Sequence, residues 1–343
     1  MASETYYINE NPSALIAHIN IKNYSQIGVL TDTNTYATCY PLIKDALPAH
    51  TIVQVIPGEE AKNLDTCVDI WQKITDLNFD RHSLMLIIGG GVLGDMGGFC
   101  AATYKRGIDF ILMPTTLLAQ VDASIGGKLG IDFNHYKNHI GVFQTPVTTL
   151  ISAAFLKTLP ERELRSGYAE IIKHCLISDA HMWSIIRSKD LQQQDWNTLI
   201  PHSVKFKTQV ITEDPREKGL RKILNFGHTI GHAVESYFLN SGNRIFHGEA
   251  IAIGMIAEAH IAFQKGLLNE EELASITTYL IRIFGLQPAM PTHEIVLENM
   301  YQDKKNKGNR ILMALTKGIG HAVWEAETSE EEIIKSLDYY RSL

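Results

Sequence analysis

Cysteine is scarce in this sequence of 343 residues, with only Cys39, Cys67, Cys100 and Cys175. These four are too few and too scattered for a disulfide framework, and none forms the CxxC pair that is typical of a zinc site. Such sparing use of cysteine is typical of a reducing compartment. We therefore expect a cytoplasmic protein.

Long apolar runs are missing as well, since no stretch approaches the roughly 18 residues of a membrane-spanning helix. The first residues, MASETYYINENPS, lack the basic segment and apolar stretch of a secretory signal. Positive charge is in deficit, because 31 Lys and Arg face 38 Asp and Glu, for a net charge of −7. This balance argues against broad nucleic-acid binding but allows a small anion to bind in one local basic pocket. The missing apolar run argues against a membrane protein.

The composition is ordinary for a globular protein, with 45% hydrophobic and 20% charged residues. The length suggests two domains. Over residues 1–160, short apolar runs alternate with helical patterns, which predicts an α/β domain with a mostly parallel sheet. From residue 161 helical spacing dominates, which predicts an all-α domain over 161–343. The apolar runs are IGVL at 27–30, TIVQVI at 51–56, LMLII at 84–88, FILM at 110–113 and TTLI at 148–151.

A glycine cluster at residues 89–91 directly follows the third apolar run and precedes a helical pattern. Glycines at such a turn let backbone amides approach a diphosphate, and the helix N-terminus adds positive potential. The alternative is that glycines here, in particular Gly94, Gly97 and Gly98, only allow the helix to pack closely on the sheet. We favour a phosphate-binding turn because of its place between strand and helix.

Three histidines and one glutamate form a second candidate site. His228 and His232 are four residues apart and share a helix face, as paired metal ligands often do. His247 opens a later helical segment, and Glu170 lies on an earlier one. Such a set suits a divalent metal, but spacing alone also fits hydrogen-bonded core or surface histidines, and a Glu170–His174 pair at i,i+4 is equally available.

Several basic residues stand near these motifs, although most lysines in any protein are solvated surface charges. Lys128 differs, because QVDASIGGKLG surrounds it with small residues, as though a ligand approached the backbone and the ammonium together. Asp122, six residues earlier, is placed to pair with Lys128 or with a nicotinamide amide. The whole basic group is Lys128, Lys137, Lys173, Lys207, Arg221, Lys304 and Lys305.

Together these blocks resemble the 3-dehydroquinate synthase family over nearly the whole chain. The resemblance runs through PGEEAKN, GGGVLGDMGGFCAATYKRGIDFILMPTTLLAQVDASIGGKLGID, LKTLPERELRSGYAEIIKH, EKGLRKILNFGHTIGHA, FHGEA and DKKNKGN. Two departures concern loop detail, namely Leu129 where Thr is expected and Tyr136 where Gly is expected. The resemblance implies a Rossmann-like NAD-binding domain, a helical metal-binding domain and an active site between them.

The resemblance also implies one divalent metal, zinc or cobalt, held by Glu170, His228 and His247, with His232 as an active-site side chain. Three protein ligands leave coordination positions open, as a catalytic zinc requires. Carboxylates on the adenosine ribose would favour NAD over its 2′-phosphorylated relative. The implied NAD-binding residues are Asp32, Asn34, Glu59, Lys62, Gly90, Gly91, Val92, Asp95, Thr115, Thr116, Lys128, Lys137 and Thr158.

The implied substrate, 3-deoxy-D-arabino-heptulosonate 7-phosphate, carries a carboxylate and a phosphate, which a Lys and Arg cluster complements. Arg106 is implied to reach across a homodimer interface. The implied substrate-binding residues are Arg106, Asp122, Asn138, Lys207 and one of Lys304 and Lys305. The implied catalytic residues are Lys128, Lys173, Glu217, Arg221, Asn225 and His232.

The implied reaction, a step of the shikimate pathway to aromatic amino acids, yields 3-dehydroquinate and phosphate. Its steps are transient oxidation by NAD, phosphate elimination, reduction, ring opening and an intramolecular aldol closure. Another sugar phosphate cyclase, a metal-dependent polyol dehydrogenase and a non-catalytic binding protein remain alternatives. A dehydrogenase would accumulate NADH and release no phosphate, which separates it from a cyclase.

Overall fold

The computed structural model of the chain describes residues 5–19, 23–134, 136–287, 289–301 and 311–343. None of the helices in these ranges has the length and apolar character needed to cross a membrane.

The chain divides into two compact units. Unit 1 comprises Met1–Leu164 and Trp196–Val204, and unit 2 comprises Arg165–Asp195 and Lys205–Leu343. The division therefore falls after Leu164 rather than after residue 160, and one short later segment returns to unit 1. A helix crosses the divisions after Leu164 and after Val204, so a continuous helical pattern in the sequence gives no sign of these two.

A six-stranded parallel sheet forms the centre of unit 1. The strands of this unit are β1 (Tyr6–Ile8), β2 (Ile27–Asp32), β3 (Thr51–Val55), β4 (Leu84–Gly89), β5 (Asp109–Pro114), β6 (Lys128–Phe133), β7 (Tyr136–Phe143) and β8 (Thr148–Ile151). The sheet has the order β1-β8-β5-β4-β2-β3, and every pairing in it is parallel. All five predicted apolar runs are strands of this sheet, which confirms the α/β prediction. The missed strand, β1, has only three residues and therefore too little periodicity to predict.

Helices cover this sheet and bury it. They are α1 (Pro12–Leu15), α2 (Thr33–Thr38), α3 (Leu64–Asp76) and α4 (Gly91–Thr103). Asp32 and Asn63 begin α2 and α3 by accepting backbone N–H groups of Thr35 and Thr66 at 2.8 and 3.0 Å. All six residues of β4 are buried, as a continuous apolar run in a parallel sheet requires.

The antiparallel pair β6–β7 is a hairpin that sequence analysis did not predict. Gly130 and Gly141 face each other in it, and a Cβ on Gly141 would overlap the carbonyl oxygen of Leu129. Leu129, one of the two departures from the family pattern, is buried against Gly98 of α4. Tyr136, the other departure, is exposed at the start of β7.

Unit 2 is helical, as predicted, with one correction. Its helices, of which α5 and α7 begin in unit 1, are α5 (Glu161–Ser178), α6 (Ala180–Arg187), α7 (Trp196–Glu213), α8 (His228–Asn240), α9 (His247–Gln264), α10 (Glu270–Phe284), α11 (His293–Tyr301) and α12 (Glu330–Ser342). The unit is not all-α, because β9 (Ile311–Thr316) and β10 (Ala322–Thr328) pair antiparallel. Helix α9 is apolar and buried on nearly all sides, which makes it the centre of the unit.

Candidate active site

The glycine turn of unit 1, residues 89–91, lies at the point where the strand order of the sheet reverses. The chain leaves β2 toward β3 on one side, and it leaves β4 toward β5 on the other. Ligands of open α/β sheets bind at the carboxyl ends of strands at such a switch point. Asp32 at the end of β2 and residues 89–91 at the end of β4 therefore share the edge where a nucleotide would be expected.

The structure separates the two interpretations of the glycines. A Cβ on Gly97 would lie 2.6 Å from Leu30, and a Cβ on Gly98 would lie 2.6 Å from Leu129, so these two glycines serve close packing. A Cβ on Gly94 would have no atom within 4 Å. Gly94 instead lines a cavity together with residues 89–91, Asp95 and Lys128. The packing alternative thus holds for Gly97 and Gly98, whereas Gly94 leaves space that a ligand can fill.

Lys62 connects three parts of this cavity region. Its buried ammonium donates to the carboxylate of Asp95 on α4 at 2.7 Å and to Oδ1 of Asn138 on β7 at 2.6 Å. The backbone N–H of Asn138, a residue with φ of 50°, donates to Asp132 at 2.7 Å. Burial raises the pKa of Asp95 to about 6, against the lowering effect of Lys62. Three residues that the resemblance assigned to cofactor or substrate therefore meet in one hydrogen-bonded group.

Other predicted residues of unit 1 are placed by the same elements. Asp32 is partly engaged, because its Oδ1 caps α2. The N–H of Thr115 donates to the carbonyl of Gly89 at 2.9 Å, which joins the ends of β5 and β4. Arg106 is exposed and has φ of 73°, in the left-handed region. The remaining predicted residues are exposed or partly buried: Asn34, Glu59, Val92, Thr116, Asp122, Lys137 and Thr158.

In unit 2, Glu170 on α5 is the focus of a second cluster. The residue is fully buried, and neither carboxylate oxygen has a hydrogen-bond partner of good geometry among the described residues. Its Oε2 forms an ion pair with Lys173, which is also buried. Its Oε1 lies 3.5 Å from Nε2 of His228 and 3.7 Å from Nε2 of His247. Three potential ligand atoms thus converge without satisfying one another.

Each of the two histidines is oriented through its other ring nitrogen. Nδ1 of His228 lies 3.0 Å from the carbonyl oxygen of Phe226, and Nδ1 of His247 lies 3.1 Å from Oε2 of Glu235. Because a carbonyl and a carboxylate only accept, both Nδ1 atoms carry the hydrogen. In the neutral form of each ring, the lone pair of Nε2 lies on the side of Glu170, where a metal ion could accept it.

The electrostatics of the cluster favour positive charge at this point. Burial by itself would raise the pKa of Glu170, but Lys173 and His247 outweigh it and hold that pKa well below its usual range. Burial would lower the pKa of His247, yet hydrogen bonds and charges of Glu170 and Glu235 raise it to about 9. The carboxylates that stabilise a protonated ring would equally stabilise a bound cation.

The spacing of the cluster fits a tetrahedral metal ion. Ligand bonds of about 2.0–2.1 Å at tetrahedral angles place neighbouring ligand atoms about 3.4 Å apart, close to the separations from Glu170. The rings of His228, His232 and His247 also offer nitrogens within 4.8 Å of one another. Glu170 and His174 likewise have ligand atoms within 4.8 Å. A metal at the point between Glu170, His228 and His247 would use the two carboxylate-facing Nε2 atoms and leave His232 beside it.

A turn between α7 and α8 places the remaining polar side chains of unit 2. The carboxylate of Asp214 accepts backbone N–H groups of Lys218, Gly219 and Arg221 at 3.0, 2.7 and 3.1 Å, which lowers its pKa. Glu217 in this turn accepts from Nδ2 of Asn225 at 2.9 Å. The turn thus brings together the predicted pair of Glu217 and Asn225.

Arg221 and Lys207, two predicted anion-binding residues, are both buried in unit 2. A guanidinium nitrogen of Arg221 donates to the carbonyl of Pro215 at 3.0 Å. Buried cations that keep a charged head are typical of anion sites rather than of solvated surfaces. Lys304 and Lys305 lie outside the described residues.

Sequence analysis missed three carboxylates that support the site. Nothing in the sequence singles out Asp214, because its role depends on the conformation of the turn that it stabilises. Glu235 follows His228 and His232 at i,i+7 and i,i+3, and helical periodicity alone would have placed it on their face. Glu258 lies eleven residues after His247, about three helical turns of 3.6 residues, and so on the same face of α9.

Family models and curated relatives match this chain over most of its length. The family model described as 3-dehydroquinate synthase N-terminal matches residues 52–166, and the one described as 3-dehydroquinate synthase C-terminal matches residues 167–331. A 3-dehydroquinate synthase of Parabacteroides distasonis is 38% identical over 93% of this chain and 92% of its own length. One of Campylobacter concisus is 35% identical over 99% of this chain and 97% of its own length.

Solved structures share the fold. A 2-epi-5-epi-valiolone synthase of Streptomyces hygroscopicus, with NAD+ and Zn2+ bound, has a TM-score of 0.87 at 26% identity, over 100% of this chain and 98% of its own. A 2-deoxy-scyllo-inosose synthase, complexed with carbaglucose-6-phosphate, NAD+ and Co2+, has a TM-score of 0.84 at 24% identity, over 98% and 96%. A glycerol dehydrogenase of Schizosaccharomyces pombe has a TM-score of 0.65 at 15% identity, over 99% and 89%.

Proposed function

This chain belongs to the 3-dehydroquinate synthase family, and from that premise we propose which of its residues hold its cofactors and substrate. The chain is a lyase of the shikimate pathway, and it converts 3-deoxy-D-arabino-heptulosonate 7-phosphate to 3-dehydroquinate and phosphate. The observation that carries the assignment of the site is the convergence of Glu170, His228 and His247 on one point.

We propose that Glu170, His228 and His247 hold one divalent metal, zinc in preference to cobalt. Oε1 of Glu170, which has no hydrogen-bond partner among the described residues, and the two Nε2 atoms that face it support this ligand set. When bound, the metal supplies a Lewis acid that lowers the pKa of a substrate hydroxyl. His232, whose ring centre lies 5.0 Å from that of His228, is placed to accept the proton from that hydroxyl.

We propose that NAD lies along the glycine turn of unit 1. Residues 89–91 present backbone N–H groups at the start of α4, and Gly94 leaves room for the diphosphate. Asp95, which forms an ion pair with Lys62, would accept a hydrogen bond from a hydroxyl of the cofactor. Lys128 would then contact the cofactor, and Asp122 would pair with Lys128 or with the nicotinamide amide. The other proposed contacts are Asp32, Asn34, Glu59, Val92, Thr115, Thr116, Lys137 and Thr158.

We propose that a set of basic residues binds the carboxylate and the phosphate of the substrate. Three basic residues of unit 2 are already buried, namely Lys173, Lys207 and Arg221. An anion can therefore form charge-assisted hydrogen bonds with them without the further cost of burying a cation. Glu217 orients the amide of Asn225, and Asn225 is thereby held ready to bind a substrate hydroxyl. The proposed set also includes Lys128, Arg106, Asp122, Asn138 and either Lys304 or Lys305.

A homodimer and a cytoplasmic location are further parts of the proposal. The exposed Arg106, on a backbone turn of positive φ, supports a role in which it reaches into the partner's site. All four cysteines are free and buried, which supports a reducing compartment.

The activity is tested by incubating the chain with the heptulosonate phosphate, NAD and zinc. We expect release of one phosphate per substrate and a carbocyclic product, with no accumulation of NADH, since hydride returns within each turnover. A heptulose phosphate that lacks the carboxylate is the matched control and should react much more slowly. Net NADH without phosphate would instead show a dehydrogenase, and equal turnover of both phosphates would show another sugar phosphate cyclase.

Binding of NAD is expected to weaken in acid. The pKa of Asp95 is about 6, so its carboxylate is ionised at neutral pH and becomes protonated as the pH falls through that value. If the ionised form accepts a cofactor hydroxyl, the Kd for NAD rises by about tenfold for each pH unit below the pKa. Fluorescence titration between pH 8 and 5 measures this rise, with Asp95→Asn as a control that should show weak, pH-independent binding. A Kd that is constant in the unaltered protein over this range would remove Asp95 from the cofactor site.

A further inference from the structure

The start of α8 is held by a carboxylate from another helix. His228 is the first residue of α8, and the preceding residue, Gly227, has φ of 78° and offers no side chain to cap the helix. Glu258, in the middle of α9, accepts the N–H of Gly227 at 2.6 Å and the N–H of Ile230 at 3.0 Å. These hydrogen bonds satisfy two of the N–H groups that a helix start leaves unpaired.

The burial of Glu258 costs free energy. Its side chain is fully buried in a helix that is apolar around it. A buried carboxylate is tolerated only when strong hydrogen bonds compensate for the loss of water. A serine or asparagine cap at residue 227 could not replace it, because such a side chain accepts from N–H groups later in the helix and not from the N–H of residue 227 itself. A Cβ on Gly227 would also lie 2.5 Å from Met255. The N–H of Gly227 therefore depends on a group from another element, and Glu258 supplies it.

The peptide unit between Phe226 and Gly227 links Glu258 to His228. Its N–H donates to Glu258, and its carbonyl oxygen accepts the Nδ1 hydrogen of His228 at 3.0 Å. The peptide is planar, so the group that fixes its N–H also fixes the direction of its C=O. Hydrogen bonds in such a chain polarise one another. The negative charge of Glu258 thus makes the carbonyl of Phe226 a stronger acceptor for His228.

Close packing of α8 on α9 makes this connection rigid. A Cβ on Gly254 would overlap the carbonyl oxygen of Gly227, and a Cβ on Gly231 would lie 2.9 Å from the carbonyl oxygen of Ala250. The two helices therefore touch backbone to backbone at this point. A shift of Glu258 cannot be absorbed by intervening side chains, and it would move the first turn of α8.

We propose that Glu258 is a positioning residue that orients His228 for metal binding through the peptide between Phe226 and Gly227. His247 receives direct support from the carboxylate of Glu235, and His228 receives equivalent support from Glu258 through one peptide unit. Each metal-facing histidine is then backed by its own carboxylate. The inference rests on the metal site of the proposed function.

The test uses Glu258→Gln in the full chain, with metal affinity measured by chelator competition. A partner that orients a metal-binding histidine typically contributes 10- to 100-fold to affinity, and we expect a loss of about that size. The matched control is Glu272→Gln, since Glu272 also accepts two backbone N–H groups, of Asn269 at 3.0 Å and Ile319 at 3.1 Å, within unit 2. This control is expected to lower the melting temperature without changing metal affinity.

A spectroscopic readout separates orientation from simple destabilisation. In metal-loaded protein with 15N-labelled histidine, Glu258→Gln should shift the Nδ1–H resonance of His228, and Glu235→Gln should shift that of His247. Glu258→Asp keeps the charge but shortens the side chain, and it serves if the glutamine variant does not fold. Unchanged metal affinity and an unchanged His228 resonance in whichever variant folds overturn the proposal. Undiminished metal binding by His228→Ala would instead overturn the metal site itself.

Discussion

Replacement of His228 by alanine is expected to abolish metal binding and the oxidation step together. The change removes one of two Nε2 atoms that face Glu170 and leaves that buried carboxylate with less compensation for its charge. Two remaining ligands hold a divalent ion far more weakly than three. Metal analysis after dialysis should show an empty protein, and phosphate release should fall to background. Full zinc occupancy in His228→Ala would contradict the ligand assignment.

His232→Ala is the matched control, because it removes a ring from the same face of the same helix. The centre of its ring lies 5.0 Å from that of His228 and 5.8 Å from that of His247. We expect this variant to keep its metal and lose turnover, since His232 is proposed to move a proton. Loss of the metal in His232→Ala and its retention in His228→Ala would show that the three histidines divide these roles differently.

Much of the fold could be predicted from the sequence because its strongest signals are local. The run LMLII at residues 84–88 is apolar throughout, and the structure buries every residue of β4. The hairpin β6–β7 escaped prediction because its register depends on Gly130 opposite Gly141, a pairing that only the folded chain reveals. The strands β9 and β10 escaped for the same reason, since their pairing joins residues across a turn in a region that otherwise shows helical spacing.

The candidate site was predictable in its residue types and less so in its connections. The spacing of His228 and His232 suggested two ligands, but spacing cannot tell which ring nitrogen faces a carboxylate. Only the hydrogen bonds of His228 to Phe226 and of His247 to Glu235 decide that. Helical spacing places Glu258 on the face of His247, but its partner could not be predicted, because that partner is a peptide group of another helix. Residues that act through the backbone leave no pairing pattern in a single sequence.

Replacement of Gly94 by leucine is expected to block NAD binding without harming the fold. A Cβ at residue 94 meets no atom within 4 Å, so the leucine side chain would extend into the cavity that the glycine turn lines. Leucine also has the better helix propensity, by up to about 1 kcal/mol. We expect the Kd for NAD to rise by more than about tenfold, or about 1.4 kcal/mol, while the melting temperature is unchanged or higher.

Gly97→Ala provides the opposite control on the same helix. Its Cβ would lie 2.6 Å from Leu30 and 3.2 Å from Ile87, so even a methyl group must displace the buried sheet. Overpacking of this kind costs about 1–3 kcal/mol, and the melting temperature should fall accordingly, while the folded fraction still binds NAD. The two variants lie within one turn of α4, and together they separate an effect on NAD binding from an effect on packing. Normal NAD affinity in Gly94→Leu would mean that the cofactor does not pass Gly94, and the glycine turn would then serve packing alone.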